Sequence, residues 1–151
     1  MTLTFNALTI NFGAPYGITL TGTLSWNSNF ATATDTISMN MTLLDEEDGK
    51  TYWFNAYEIT TIYDDNGFSQ TITGRYYDHD YGFVDLSTLV TLFTYNIDVW
   101  RPSEGSVLLK GNSGTWVLFS FFEDSQLIEA DTNGDDDVDW QHETEVIDIN
   151  D

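Results

Sequence analysis

The residues best able to do chemistry lie near the C-terminal end. Asp131, Asn133, Asp135, Asp137 and Asp139 stand at alternate positions in the run Asp131-Thr132-Asn133-Gly134-Asp135-Asp136-Asp137-Val138-Asp139. In a tight loop, alternate spacing turns short oxygen-bearing side chains onto one centre. A hard cation such as Ca2+ is held that way, by about six to eight oxygens and no nitrogen or sulfur. Numbered as a twelve-residue calcium loop, Asp131, Asn133 and Asp135 fill positions one, three and five. Asp137 offers its backbone carbonyl at seven and Asp139 binds through water at nine, while Val138 takes the apolar position eight. Two residues depart from the pattern. Position six, usually a glycine with positive φ, is Asp136, and the bidentate acid of position twelve is replaced by His142. Glu143, one residue later, is the nearest acid to close the shell. The sequence therefore predicts Ca2+ on Asp131, Asn133, Asp135, Asp137, Asp139 and Glu143, against the plainer reading of a solvated acidic tail.

Other chemistry is hard to assemble. There is no cysteine, which excludes a disulfide scaffold and any thiolate metal site. Asp78-His79-Asp80 precedes Tyr81-Gly82 and reads as a solvated turn. No Ser-His-Asp or Cys-His arrangement can be nominated. Glycoside hydrolysis needs two acids facing one cleft. Glu58, Asp85 and Asp98 are the strand-borne candidates, and each reads more readily as a structural or surface acid.

The elements that must position these residues are strands. Leu3, Phe5 and Ala7 alternate with Thr; so do Ile18, Leu20, Leu24 and Trp26, and so does the stretch 36–43. Period-2 alternation with Thr on the wet side is the mark of half-buried strands. Further strands are expected at about 51–62, 68–76, 83–95, 106–111, 114–122 and 125–130. Residues 13–17 should close the first hairpin, and Asp48-Gly49, Asn66-Gly67 and Asn112-Ser113-Gly114 should turn later ones. A short helix is expected after the acidic loop, on the sparse apolar points Val138, Trp140 and Val146. The fold expected is all-β, an antiparallel meander forming a β-sandwich or barrel over residues 1–130, with an acidic loop and tail over 131–151.

Charge narrows the partners. Twenty-five acids stand against four bases, a net of -21, and residues 123–151 hold twelve acids and no base. Nucleic acid is excluded, because phosphates need a basic stripe. No apolar run is long enough to span a membrane. Residues 1–5 lack a basic start and an apolar core, so no signal peptide is expected within them and an export leader would lie outside this chain. Ten Phe, eight Tyr and five Trp are available for a neutral partner. Consecutive strand residues face opposite sides, so one ring of Tyr76/Tyr77 and one of Phe121/Phe122 should face away from the core and could stack on a sugar.

Four segments in order carry a resemblance: Gly74-Arg75-Tyr76-Tyr77, residues 81–88, the turn and strand from Pro102 to Gly111, and Glu129-Ala130-Asp131-Thr132-Asn133-Gly134-Asp135. Over its second half the chain resembles a family of bacterial secreted or lipoprotein-borne β domains that end in a D-x-[DN]-G-D loop. The loop is also similar to one half of a dockerin, which uses two such repeats with helices. The resemblance implies export to the cell surface, periplasm or medium, and a calcium-type loop on Asp131, Asn133 and Asp135. Asp136 departs from glycine in both patterns. The function expected is a calcium-stabilised binding or structural module with a glycan or protein ligand. The alternatives are a carbohydrate-binding module using exposed aromatics and a hydrolase on a β scaffold.

Overall fold

A computed structural model describes residues 1–13, 16–95 and 101–145. They form ten strands: β1 Thr2–Gly13, β2 Tyr16–Asn29, β3 Thr34–Asp45, β4 Thr51–Asp64, β5 Gly67–Asp78, β6 Gly82–Thr94, β7 Glu104–Gly111, β8 Trp116–Phe121, β9 Ser125–Asp131 and β10 Trp140–Glu145. A single 3-10 turn, Asn112–Gly114, joins β7 to β8. The strands pair in chain order, each antiparallel to the next, as one ten-stranded sheet. No helix among the described residues is long and apolar enough to cross a membrane.

The expected meander is present, and most strand positions agree with the alternation of the sequence. Two expectations are corrected. β1 and β10 do not pair, so the sheet does not close into a barrel, and the described residues supply no second sheet to make a sandwich. The helix expected after the acidic loop is instead β10, which ladders onto β9 with Trp140 opposite Ala130 and Glu145 opposite Ser125. Local residue preference there is weak, and the free edge of β9 decides the outcome. Asp98, Val146 and the Ala14-Pro15 turn lie outside the described residues.

Register sorts the side chains into two faces. Phe5, Gly22, Met41, Phe54, Tyr76 and Val84 stand directly opposite one another across β1–β6. Trp26, Ile37, Ile59 and Ile72 form a parallel row on the same side. The reverse side reads Ser25, Ser38, Glu58, Thr73, Ser87. Across β1–β6 the sheet thus has one largely apolar and one largely polar face, as period-2 alternation demands, while on β7 and β8 the reverse row continues through Leu108 and Leu118. The three buried apolar side chains among the described residues, Leu92, Val107 and Ala130, all belong to the apolar face. Beyond them that face is only half covered. The chain exposes 9950 Å², against about 7,750 Å² for a compact chain of its mass.

β4 carries a bulge that shapes the polar face. Ala56 takes φ 47 and the pairing with β5 skips between Asn55 and Glu58. Gly74 faces the bulge with φ 136, and a Cβ there would meet the backbone of Tyr57 at 2.5 Å, so only glycine fits.

Turn chemistry closes the hairpins. The Asp64 carboxylate accepts the N–H groups of Asn66 and Gly67 at 2.7 and 3.0 Å. Asp78 accepts those of Asp80 and Tyr81 at 2.9 and 3.1 Å, which makes Asp78-His79-Asp80 a turn. Lys50 bridges two turns by pairing with Asp48 and with Asp80, and both acids raise its pKa.

Candidate metal centre

The acidic run forms the β9–β10 loop. It begins where Asp131 leaves β9 and ends where the Asp139 N–H donates to the Ala130 carbonyl at 2.9 Å. Asp131 is 1% exposed, the most deeply buried polar side chain described. Its Oδ1 accepts N–H groups from Asn133 and Gly134 at 3.0 and 2.6 Å, and its Oδ2 accepts that of Asp136 at 2.9 Å. Burial on its own would raise the Asp131 carboxyl. The N–H groups of Gly134, Asp136 and Asn133 outweigh it and hold the carboxyl below its ordinary value of 3.8.

Backbone shape follows from two positive-φ residues. Gly134 has φ 83 and Asp136 has φ 69. Asp136 thus adopts the left-handed conformation that position six of a calcium loop requires, although it is not glycine. Gly134 lies against the turn Asn112–Gly114, where a Cβ would be driven into the Ser113 carbonyl oxygen. That contact ties the loop to the β7–β8 connection, and nothing in the sequence announced it.

The remaining polar groups bind one another in steps of two. Asn133 Oδ1 accepts the Asp135 N–H at 2.9 Å, and Asp135 Oδ1 accepts the Asp137 N–H at 3.0 Å. Asp139 reaches back across the loop. Its Oδ2 accepts the Thr132 N–H and hydroxyl at 2.8 and 2.7 Å, and its Oδ1 accepts the Asn133 amide at 3.2 Å.

The donor set fits a hard cation in kind. A carboxylate has about four acceptor sites. Three N–H groups leave Asp131 one site, on Oδ2; Asp135 keeps Oδ2 free, Asn133 keeps one site on Oδ1, and Asp139 keeps one on Oδ1. With the Asp137 carbonyl these are five oxygens from one loop. Their arrangement is less complete. Among the described residues no three His, Cys, Asp or Glu side chains converge closely enough to hold an ion. Asp131 and Asp139 are turned onto N–H groups, and Asp135 onto the N–H of Asp137. Glu143 is not brought to the loop: it stands on β10 opposite Leu127. His142 lies on the other face of β10, stacked on Trp140 at 5.9 Å.

A second constellation occupies the polar face. Thr42, Trp53, Tyr77 and Phe83 form one row across β3–β6. Trp53 and Tyr77 are exposed, and the Trp53 indole donates to Asn40 Oδ1 at 3.3 Å. The Arg75 guanidinium stacks over Phe83 at 3.8 Å and grips Asp85 through two bonds of 2.6 and 2.8 Å. That grip holds the Asp85 carboxyl below its ordinary value. Tyr76, by contrast, lies on the apolar face, 5.2 Å from Phe54. The Tyr76/Tyr77 pair therefore divides between the faces. Trp53 and Phe83, which the sequence did not single out, complete the strip, and only the register reveals them.

Among the described residues, paired-acid chemistry is not assembled. Glu58 lines a hollow of about 220 Å³ with Ser38, Asn40 and Tyr57, and it is the only acid there. Its Oε2 accepts the Ser38 hydroxyl at 3.2 Å. Asp85 is committed to Arg75. No family model, no curated protein and no solved structure matches the chain.

Proposed function

We propose that the chain is an exported, calcium-stabilised β module whose sheet serves as a binding or structural surface. Ca2+ would be held in the β9–β10 loop by Asp131, Asn133, Asp135, the Asp137 carbonyl and Asp139. The observation that carries the reading is the loop's inward wrap around the buried Asp131, with positive φ at Gly134 and Asp136. A bare acidic tail has no reason to bury its first carboxylate. The ion would supply positive charge where five acids crowd into nine residues, and would pin β10 to β9. Titration calorimetry tests this: the reading expects a saturable heat at one site per chain, abolished in Asp135→Ala. No heat at millimolar Ca2+ refutes it.

A second reading is favoured by one observation, the row Trp53, Tyr77 and Phe83 with Arg75, Asp85 and Asn40 beside it. Exposed rings flanked by hydrogen-bonding groups suit the apolar faces and hydroxyls of a sugar. A glycan array would test it, with Trp53→Ala and Tyr77→Ala expected to lose any binding seen. Binding untouched by both variants would refute this face as the site.

A further inference from the structure

Among the described residues, the apolar face is covered around Leu92, Val107 and Ala130 and open elsewhere. A sheet with one apolar face must bury it against another layer, and the described residues place no second layer there. Trp26 and Tyr63 on that face are 49% and 47% exposed, and Leu3, Leu8 and Ile10 on β1 are exposed as well. We propose that a second copy of this chain covers it, the two sheets packing apolar face to apolar face about a two-fold axis.

Size, charge and architecture all fit this occupant. Ten strands spaced about 4.8 Å apart, averaging about 10 residues at about 3.3 Å per residue, span a face of roughly 1,600 Å². A standard interface takes about 800 Å² from each partner, and obligate homodimers take more. Charge is segregated in the way self-pairing needs. Glu58, Asp85, Glu129 and Glu143 stand on the polar face with Arg75 and Lys110. On the apolar face the paired residues include no Lys, Arg or Glu, and its acids Asp35, Asp45 and Asp78 stand at strand ends. Two copies at -21 each can therefore meet on this face without opposing carboxylates in its middle. Isologous contact requires a self-complementary patch, and an apolar face whose acids stand only at strand ends meets that condition. The product is the two-layer sandwich that the alternation of the sequence predicts, with each copy supplying one layer.

Sedimentation of the full chain at micromolar concentration should give twice the 17.1 kDa monomer mass. Added salt should tighten the dimer, because screening relieves repulsion while apolar contact persists. Trp26→Glu and Leu8→Glu should yield monomers that keep their β spectrum. Trp53→Glu, at an exposed Trp on the polar face, should stay dimeric. If the face variants fail to fold, hydroxyl-radical labelling of the native protein decides instead. Trp26 and Tyr63 should be protected at high concentration and labelled on dilution, while Trp53 and Tyr77 react at both. A monomer at every concentration, a dimer indifferent to Trp26→Glu and Leu8→Glu, or equal labelling of the two Trp residues overturns the proposal.

Discussion

Asp131 carries the loop. It is buried, and it accepts three backbone N–H groups that the turns at Gly134 and Asp136 would otherwise leave unpaired. A buried group stripped of its partner is costly, so Asp131→Ala should lower the melting temperature well beyond Asp64→Ala, which removes the acceptor of an exposed turn. The pH dependence follows from the direction of the Asp131 shift. Its folded pKa lies below the ordinary 3.8. The stabilisation is therefore complete above that value and is lost as pH falls through the folded pKa. Asp131→Asn should flatten the acid limb of the stability curve below about pH 4 and leave its neutral shape alone; an acid limb identical in the two proteins would refute the assignment. Asp135 contributes less to the loop itself, accepting one N–H. Asp135→Ala should thus keep most of the stability while losing most of the calcium response.

At the scale of elements, the loop is a tether between the last hairpin and the β7–β8 turn. Gly134→Ala sets a side chain at φ 83 against the Ser113 carbonyl, and should cost more than about 1 kcal/mol in denaturant titration. Leu92→Ala, at one of the few well-buried apolar sites, should cost about 2–5 kcal/mol, whereas Ile62→Val, exposed on the polar face, should fall within about 0.5 kcal/mol. These elements differ in how far the sequence discloses them. β1 to β9 are legible because Thr alternates with aliphatic and aromatic residues and Asn-Gly or Asp-Gly pairs punctuate the runs. β10 is not, because Trp140-Gln141-His142-Glu143-Thr144-Glu145 has little strand preference and depends on pairing with β9 across the acidic loop. The alternating loop oxygens are legible for the same reason as the strands, through their spacing. Glu143 stands within β10 opposite Leu127, and the extended strand carries it away from the loop.

At the scale of the molecule, closure is the feature local pattern leaves undetermined. Alternation says that each strand has one face to bury, and it does not say what buries it: the same sheet, a second sheet or a second chain. The answer depends on twist and register summed over ten strands. Net charge acts at this scale too. With -21 spread over 151 residues, self-repulsion opposes the compact state, so sodium chloride should raise the melting temperature modestly through screening. A calcium effect must exceed this general salt effect at equal ionic strength. Hydrogen exchange separates the two: Ca2+ should slow the amides of β9, β10 and the loop between them, while those of β1–β5 change no more than they do in sodium chloride.

The most direct measurement is a thermal melt in millimolar Ca2+, repeated with chelator and with Mg2+ or sodium chloride at matched ionic strength. Binding to the native state at a hundredfold excess over Kd adds about 2.7 kcal/mol, or roughly 5–10 °C for a chain of this length. The account predicts an upward shift of that order in Ca2+ alone, reversed by chelator and absent in Asp135→Ala. A melting temperature that chelator leaves unchanged, or that sodium chloride raises as far as Ca2+ does, would contradict it.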